Sequence, residues 1–253
     1  MDLHDKVALI TGGASGLGRA TAMSLAARGA KVALFDRDEG VDQVAREIGT
    51  EAIAIQGSVT DAADVQKAVD AASDRWARLN IVVNGAGVAT PGRVLDGTTP
   101  HDLERFAQVI NVNLVGTFNV LRLAAARMAE SEPEDGERGV IINTASGAAF
   151  DGQIGQAAYA SSKGGVASMT LPVARDLASR LIRCVSIAPG IFETPMVSKM
   201  PESVREALAS NVPHPRRLGS PSEFGSLVIH IVENPMLNGE VIRIDGALRM
   251  AAR

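Results

Sequence analysis

The chain has 253 residues and a net charge of −4, and 46% of its residues are hydrophobic although only 3% are aromatic. This length and aliphatic content suit one large α/β domain and exclude a disordered chain, and the acidic balance gives no reason to expect nucleic acid or an anionic membrane as a partner. The single cysteine, Cys184, excludes an intrachain disulfide, and its apolar neighbours predict a buried, inert thiol in a reducing compartment.

Secondary structure is predicted from almost the first residue. Residues 1–6 lack the basic and apolar regions of a signal peptide, and no apolar run reaches ~18 residues, so we expect a cytoplasmic protein that does not span a membrane. Short aliphatic runs predict strands at 6–11, 31–36, 51–56, 79–84, 139–145, 182–188 and 240–244. Helices are predicted at 17–28, 62–76, 100–128, 157–179 and 221–232.

This alternation of strands and helices predicts an α/β fold in which parallel strands are joined by right-handed crossovers. We therefore expect a doubly wound parallel sheet of about seven strands with helices on both faces. The sequence shows no repeat and no low-complexity linker, and its one charge-dense loop, 130–138, is typical of a solvated turn. One domain is predicted to span residues 1–253.

A glycine-rich turn follows the first predicted strand and opens the first predicted helix, in the run Thr11-Gly-Gly-Ala-Ser-Gly16-Leu-Gly18. The amide groups and the positive dipole of a helix N-terminus favour a phosphate, and glycine allows the backbone to approach it closely. The alternative is a tight turn without a ligand. The position of the glycines directly after the first strand favours a dinucleotide site.

Asp36 closes the second predicted strand, 18 residues after Gly18. That is close to the ~20-residue offset of the acid that binds a ribose 2′-hydroxyl in dinucleotide-binding folds, although a turn aspartate is the alternative. A carboxylate at this place repels a 2′-phosphate, so the sequence favours NAD over NADP. Arg37 is the counterargument, because a guanidinium could bind that phosphate.

The only tyrosine, Tyr159, lies four residues before Lys163, and Ser146 follows the fifth predicted strand. Residues four apart share one face of a helix, and strand carboxyl ends are where open α/β sheets bind ligands. This trio is suited to oxidising an alcohol, or reducing a ketone, against a nicotinamide. Tyr159 exchanges the proton, the Lys163 ammonium lowers the phenol pKa, and Ser146 holds the substrate oxygen.

Asn113 is a fourth candidate, because it falls within an apolar helical stripe and is expected to be buried. Two interpretations stay open for it. Asn113 either holds a water that relays protons to Lys163, or is a core side chain bonded to neighbouring backbone.

Together these residues, with Asn84-Gly-Ala-Gly87 and Pro189-Gly190, resemble the short-chain dehydrogenase/reductase family over essentially the whole chain. The resemblance implies a Rossmann-type fold, the roles given above for Asn113, Ser146, Tyr159 and Lys163, and a homotetramer or dimer. It also implies that Ile191 and Thr194 contact the nicotinamide carboxamide. The cofactor residues it implies are Gly12, Ser15, Gly16, Leu17, Gly18, Asp36, Ser58, Val59, Asn84, Ala86, Gly87, Tyr159, Lys163, Pro189, Gly190, Ile191 and Thr194.

Further segments, among them 142–146, 150–159, 187–192 and 233–243, are similar to the type II 3-hydroxyacyl-CoA dehydrogenases within that family. This closer resemblance implies NAD as cofactor and the reversible oxidation of a 3-hydroxyacyl-CoA to a 3-oxoacyl-CoA. It also implies that Gln153 and Phe192 join Ser146 and Tyr159 at the substrate, and that segment 192–211 forms a mobile lid.

Three positions depart from the family pattern. Ser58 stands where an aspartate usually meets the adenine amino group, which weakens that contact. Leu181 replaces a usual glycine at a helix end, where a positive φ is comfortable, so the local turn is expected to differ. Val185 stands where many members have asparagine.

Other functions fit the sequence less well. A 3-oxoacyl-carrier-protein reductase usually prefers NADPH, against Asp36, whereas a steroid or alcohol dehydrogenase shares the same site. A non-catalytic or moonlighting binding protein has no need for the complete set of four polar residues. The histidines are scattered and predict no metal site, and Arg216 and Arg217 are either a CoA-phosphate contact or solvated charges.

Overall fold

The computed structural model describes residues 1–252, without the side chain of Met196. Its strands are β1 Val7–Thr11, β2 Lys31–Asp36, β3 Ala52–Gln56, β4 Ile81–Asn84, β5 Leu95–Asp96, β6 Thr99–Pro100, β7 Gly139–Thr144, β8 Ile182–Pro189 and β9 Val241–Ile244. Its α-helices are α1 Gly16–Ala26, α2 Val41–Ile48, α3 Ala62–Trp76, α4 Leu103–Ile110, α5 Gly116–Glu130, α6 Ala157–Leu177, α7 Pro195–Ser198, α8 Glu202–Ser210 and α9 Pro221–Glu233.

Seven of the strands form one parallel sheet in the order β3-β2-β1-β4-β7-β8-β9. The chain runs outward from β1 to β3 and then returns to place β4 on the other side of β1. This reversal leaves a crevice above the carboxyl ends of β1 and β4, the place where doubly wound sheets bind ligands. The predicted doubly wound parallel sheet of about seven strands is confirmed.

The sheet is buried on both faces, as the aliphatic strands predict. Along β1, Ala8 and Ile10 belong to the core cluster under α1 and α9, whereas Val7 and Leu9 belong to the cluster under α3 and α5. Side chains alternate between the faces of a strand, so a strand that is apolar at every position can be buried only between two helical layers.

The predicted strands agree with the structure to within one or two residues, but some short elements were missed. Helix α2, the two-residue strands β5 and β6, and the helices α7 and α8 were not predicted. The predicted helix 100–128 is found as α4 and α5, joined by a π-helical turn at Asn111–Val115.

The turn at Leu181 corrects one expectation. Leu181 adopts φ 59° and ψ 37°, the left-handed conformation that a glycine would take there, so the prediction of a different turn is wrong. The Leu181 N–H donates to the carbonyl of Ala178 at 3.0 Å, and the Leu181 carbonyl accepts from the N–H of Arg138 at 2.8 Å. These two main-chain bonds hold the turn despite the steric cost of the side chain.

The helical stretch Leu103–Glu130 is long and apolar enough to cross a membrane by length and composition alone. Half of its most apolar window is buried inside the fold, as in a core helix. Leu103, Val115 and Phe118 of this stretch are exposed.

Candidate active site

Two glycine turns pack against each other at the crevice between β1 and β4. A Cβ on Gly12, whose φ is +70°, would lie 2.8 Å from the backbone of Gly85 and Ala86, and a Cβ on Gly18 would lie 2.1 Å from the Gly12 carbonyl oxygen. The N–H of Ala86 donates to the Thr11 hydroxyl at 3.1 Å. Only glycine allows this approach, which holds the turns after β1 and β4 together.

The N-terminus of α1 opens into this crevice with its dipole uncompensated. Ser15 occupies the N-cap position in an extended conformation, but its side chain makes no capping hydrogen bond, and the first turn of α1 holds no acidic residue. The first N–H groups of such a helix need partners from outside it, and an anion is the ligand they favour. Ser15, Gly16, Leu17 and Gly18 therefore stand where a pyrophosphate fits.

Asp36 lies beside the same turn, at the carboxyl end of β2. Its Oδ2 accepts the N–H of Ala14 at 3.0 Å, and its Oδ1 accepts the N–H of Asp38 at 3.1 Å. These bonds hold the carboxylate beside the glycine turn, whereas the neighbouring Arg37 side chain is exposed. A negative charge therefore lies at the end of β2, next to the turn after β1 where a pyrophosphate fits.

Ser58 and Val59, which the resemblance implies to be cofactor residues, follow β3. The Ser58 hydroxyl is 2.8 Å from that of Thr60, and the Ser58 N–H donates to Asp64 at 2.9 Å. Val59 is buried, and its carbonyl accepts from Asn119 at 2.9 Å. A hydroxyl bonded to its own turn is a weaker partner for an adenine amino group than the carboxylate it replaces.

The residues that the resemblance implies to contact the nicotinamide lie near the glycine turn. The chain leaves β8 through Pro189 and Gly190 and reaches Thr194 at the start of α7. A Cβ on Gly16 would lie 3.5 Å from Cγ2 of Thr194. Ile191, which is partly buried, accepts the N–H of Gly219 at 2.9 Å. Residues that are far apart in the sequence thus border one crevice.

Ser146, Tyr159 and Lys163 meet at the carboxyl end of β7. Tyr159 and Lys163 lie one turn apart on α6, and Lys163 Nζ is 5.9 Å from the centroid of the tyrosine ring. Lys163 is 4% exposed, and its ammonium donates to the carbonyl of Thr144 at 2.6 Å. The Ser146 oxygen accepts the N–H of Ala148 at 3.1 Å, and its hydroxyl also bonds to the Tyr159 phenol.

Burial disfavours the charged form of both titratable groups and therefore shifts both pKa values. Burial raises the pKa of Tyr159, and hydrogen bonding to Ser146 offsets part of that rise. Burial also lowers the pKa of Lys163 to about 8. In this state of the protein Tyr159 is therefore a neutral phenol at pH 7, suited to act as an acid. A lowering of the phenol pKa by Lys163 stays a prediction.

Asn113 lies in the π-helical turn and is fully buried. Its Oδ1 accepts the N–H of Val88 at 2.8 Å, while its Nδ2 donates to the Val88 carbonyl at 2.9 Å and to the Ser162 hydroxyl at 3.0 Å. The side chain thus bonds to neighbouring backbone, as the second interpretation expected. A Cβ on Gly87 would lie 3.3 Å from Oδ1 of Asn113 and 3.6 Å from Nζ of Lys163, so Asn113 borders the site.

Asn84 contributes a buried polar group at the end of β4. Its Nδ2 donates to Oδ1 of Asn143 at 2.9 Å, whereas its own Oδ1 is buried and has no partner among the described residues. An unpaired acceptor costs free energy unless a ligand or water satisfies it.

A groove of about 460 Å³ extends from the first turn of α6. Gln153, which the resemblance implies to be at the substrate, lines this groove and donates to the carbonyl of Ala251 at 3.1 Å. The opposite wall was missed by the sequence interpretation, although Pro91 and Gly92 signal a turn beyond the carboxyl end of β4. The groove is lined by Gly92, Arg93, Val94, Leu95, Gly152, Gln153, Ile154, Gly155, Gln156, Ala157 and Ala160.

Phe192 does not line this groove. It is 6% exposed, its ring packs edge-on against Phe224 with 6.4 Å between the ring centroids, and it touches Gly219. We therefore correct the assignment of Phe192 to the substrate: the ring belongs to the core cluster under α9, because the hydrophobic effect buries an aromatic side chain where a cavity accepts it. The rest of segment 192–211 carries α7 and α8.

The residues present fit a nicotinamide dinucleotide. The crevice offers an open helix N-terminus, a carboxylate beside it, and the polar trio at its other end. Each of these groups lies above the carboxyl edge of the sheet.

Comparison with known proteins agrees with this geometry. Residues 6–205 match the family described as short chain dehydrogenase. The chain is 54% identical over 252 residues to the 3-hydroxyacyl-CoA dehydrogenase type-2 of Drosophila melanogaster, covering 98% of this chain and 99% of that protein. It is 52% identical over 249 residues to the Homo sapiens protein of the same name, with 96% and 95% covered.

A solved structure leads to the same family. The crystal structure of 3-hydroxyacyl-CoA dehydrogenase type-2 from Mycobacterium avium superposes with a TM-score of 0.93 at 40% identity, covering 98% of this chain and 97% of that one. These matches extend over nearly the full length of the chain. They agree with the glycine turns and with the trio of Ser146, Tyr159 and Lys163. The chain belongs to the short-chain dehydrogenase family and is a nicotinamide-dependent oxidoreductase that acts on CH–OH groups.

Proposed function

We propose that this chain interconverts a 3-hydroxyacyl-CoA and a 3-oxoacyl-CoA, with NAD as the hydride carrier and Tyr159 as the acid/base. The observation that carries the proposal is the meeting of Ser146, Tyr159 and Lys163 at the carboxyl end of β7, where Lys163 Nζ lies 3.6 Å from the position of a Cβ on Gly87. Relatives that share more than half of their residues with this chain and bear the name 3-hydroxyacyl-CoA dehydrogenase type-2 support the choice of substrate.

The residues of the chain divide the chemistry between them. When bound, the nicotinamide ring supplies the hydride acceptor for oxidation and the hydride donor for reduction. The Ser146 hydroxyl donates to the substrate oxygen in place of Tyr159 and holds that oxygen near the phenol. In reduction Tyr159 gives its proton to that oxygen, and in oxidation it takes the proton back. The ammonium of Lys163 stabilises the phenolate that reduction leaves.

Asp36 supports NAD as the cofactor rather than NADP. Its carboxylate is fixed by the N–H groups of Ala14 and Asp38, so it cannot turn away from the crevice without losing both bonds. A 2′-phosphate brought to that place would meet a negative charge, whereas a ribose 2′-hydroxyl can donate a hydrogen bond to it. The exposed Arg37 is the feature that an NADP-dependent enzyme would use instead.

The groove supports an acyl-CoA as the substrate. Its walls present the exposed apolar side chains of Val94, Leu95 and Ile154, which an acyl chain can cover. Arg93 lines the same groove and adds a positive charge that suits the phosphates of CoA. Of the two arginines considered from the sequence, Arg217 forms a two-bond ion pair with Glu223 at 2.7 and 2.8 Å, so Arg216 is the better candidate for a further phosphate contact.

The test is the reduction of acetoacetyl-CoA by purified protein, followed as loss of reduced-nicotinamide absorbance with NADH and NADPH in parallel. We expect turnover with NADH and little with NADPH. Tyr159→Phe should lower kcat by roughly 10²- to 10⁴-fold, since it removes the proton donor without changing the shape of the ring. Ser161→Ala is the matched control, because Ser161 lies on the same helix but is exposed.

Each alternative has its own outcome. Turnover with NADPH alone would contradict the role of Asp36 and favour a biosynthetic carrier-protein reductase. Turnover of steroid or other secondary alcohols without any acyl-CoA activity would replace the substrate and keep the chemistry. Near-normal turnover by Tyr159→Phe would remove Tyr159 as the acid/base.

A further inference from the structure

The segment that joins Ser146 to α6, residues 147–155, is held mainly from outside itself. Its internal main-chain bonds are local: the N–H groups of Phe150 and Asp151 both donate to the Gly147 carbonyl at 3.0 Å. The segment also forms one wall of the groove through residues 152–155. Any interaction that fixes this segment therefore affects the position of both the serine hydroxyl and the wall of the groove.

Two sets of main-chain and amide bonds reach the segment from outside, in addition to the ion pair of Asp151. Across the groove, the Gly155 carbonyl accepts the N–H of Gly92 at 2.8 Å. On the other side lies a strap, defined here as residues 248–252. The Ile154 N–H donates to the carbonyl of Ala252 at 3.0 Å, and the Gln153 amide donates to the carbonyl of Ala251 at 3.1 Å. Segment 147–155 is thus bonded to the strap on one side and to Gly92, across the groove, on the other.

Arg243, at the end of β9, ties the strap to the segment. Its Nη2 donates to Oδ2 of Asp151 at 2.5 Å and to the carbonyl of Leu248 at 3.1 Å, while its Nε donates to Oδ2 of Asp245 at 2.6 Å. One guanidinium therefore binds the segment, the strap and its own strand end at the same time. A planar fork of fixed donors can do this, whereas an ammonium cannot.

The guanidinium also rests against the turn that carries Ser146. A Cβ on Gly147 would lie 3.6 Å from Nη2 of Arg243 and 3.9 Å from Cε of Met250. Arg243 lies 5.3 Å from the ring centroid of Phe150, a cation–π distance. The N–H of Ala148, in the same turn, donates to the Ser146 oxygen. A displaced turn would therefore redirect the serine hydroxyl.

The ion pairs of Arg243 are partly shielded from water, which strengthens them. Asp151 and Arg243 expose 18% and 22% of their side chains, and Asp245 exposes 7%. The hydrogen bond from Arg243 lowers the pKa of Asp151, so the pair stays charged at neutral pH. Partly buried, charge-assisted arginine bonds hold geometry better than exposed pairs do.

We propose that Arg243 is a positioning residue, which together with the strap 248–252 fixes segment 147–155 so that Ser146 faces the substrate and the groove keeps its wall. This inference rests on the function proposed above, since it acts through Ser146 and the groove. It assigns to Arg243 and the strap a role that acts through the segment they hold.

The test compares Arg243→Lys and Asp151→Asn with a matched control, Arg28→Lys, which removes one arginine from an exposed pair with Glu233. Hydrogen–deuterium exchange of the free protein reports on segment 147–155. Fluorescence titration gives the Kd for NADH, and steady-state rates with the best substrate of the wild type give kcat and KM. The exchange and NADH measurements require no acyl-CoA, so failure of the substrate assignment, visible in the wild type, is separate from failure of this inference.

We expect both test variants to exchange faster in 147–155 than the control does. Their kcat should fall by roughly 10- to 100-fold with a raised KM, as small misplacements of a reacting group do, at an unchanged NADH Kd. Unchanged exchange in that segment would overturn the inference, and so would faster exchange with wild-type kinetics. An equal loss of NADH binding would also overturn it, because that marks general damage rather than mispositioning. If Arg243→Lys does not fold, Asp151→Asn decides.

Discussion

Lys163 shows at the scale of one residue how function opposes stability. Its ammonium is buried, with a single hydrogen bond among the described residues, to the Thr144 carbonyl. Burial lowers its pKa to about 8, which means that below that pH the folded protein holds a charge in an unfavourable environment. A side chain chosen for stability alone would be apolar here.

We therefore expect Lys163→Met to raise the free energy of unfolding at pH 7 by about 1 kcal/mol, since apolar replacement of a buried charge is often stabilising, and to remove activity. The sign of the pH dependence follows from the lowered pKa. Between pH 8 and 10.5 the unfolded wild type binds more protons at this site than the folded protein, so this group makes stability rise with pH. Urea unfolding at several pH values measures both effects.

The exposed Lys67→Met on α3 is the control for this substitution, and it should change neither stability nor its pH slope. A Lys163→Met variant that is less stable than the wild type at pH 7 would show that the hydrogen bond to Thr144 outweighs the cost of the buried charge.

At the scale of elements, the end of α6 carries a strained residue. Leu181 follows the short 3₁₀ turn Ala178–Arg180 in the left-handed region, at φ 59°. Its side chain is 40% exposed, so little packing compensates for the conformation. The turn leads directly into β8, the fully buried strand that ends at Pro189, and its geometry is thus fixed by the sheet rather than by its own sequence.

Leu181→Gly should therefore stabilise the protein by about 0.5–1 kcal/mol, because relief of the left-handed cost exceeds the lost contacts and the added freedom of the unfolded chain. Thermal and urea unfolding measure the change. Ala178→Gly, three residues earlier at φ −57°, is the matched control and should destabilise instead. A destabilised Leu181→Gly variant would mean that the exposed side chain contributes more packing than its exposure indicates.

At the scale of the whole molecule, three large apolar side chains are exposed on the outer face of α4, the π-helical turn and α5. Leu103 is 77% exposed, Val115 50% and Phe118 49%, although the opposite side of the same helices is packed in the core. Exposed polar residues such as Gln108 and Asn111 lie between them, but large apolar side chains exposed along one helical stretch are typical of an interface. The resemblance to the family predicts a homotetramer or dimer, and we propose that further copies of this chain cover these side chains.

We expect light scattering on the purified protein to give a homotetramer, with a mass four times the 26.3 kDa of one chain. Phe118→Glu should lower that mass, because it places a charge in the expected interface. Met23→Glu, which changes an exposed apolar residue of α1, should leave it unchanged. A monomeric wild type would contradict the prediction and leave these apolar side chains to another partner.

Chemistry-bearing residues at short spacings were predictable from the sequence. The glycine turn, Asp36, and the pair Tyr159 and Lys163 each depend on local geometry: a turn after a strand, a strand end, or one face of a helix. The alternation of aliphatic strands and amphipathic helices likewise predicted the doubly wound sheet, because local periodicity reports which faces must be buried.

The sequence by itself thus determined the fold class, the position of the open N-terminus of α1, and which residues supply the polar groups of the site. Tertiary structure alone decided which partners those groups find. It bonded Asn113 to Val88, buried Phe192 against Phe224, held Leu181 at a positive φ and tied Arg243 to Asp151. The physical reason is that packing and hydrogen bonding between distant segments can outweigh local preference by a few kcal/mol, and spacing along one chain does not report distances across the fold.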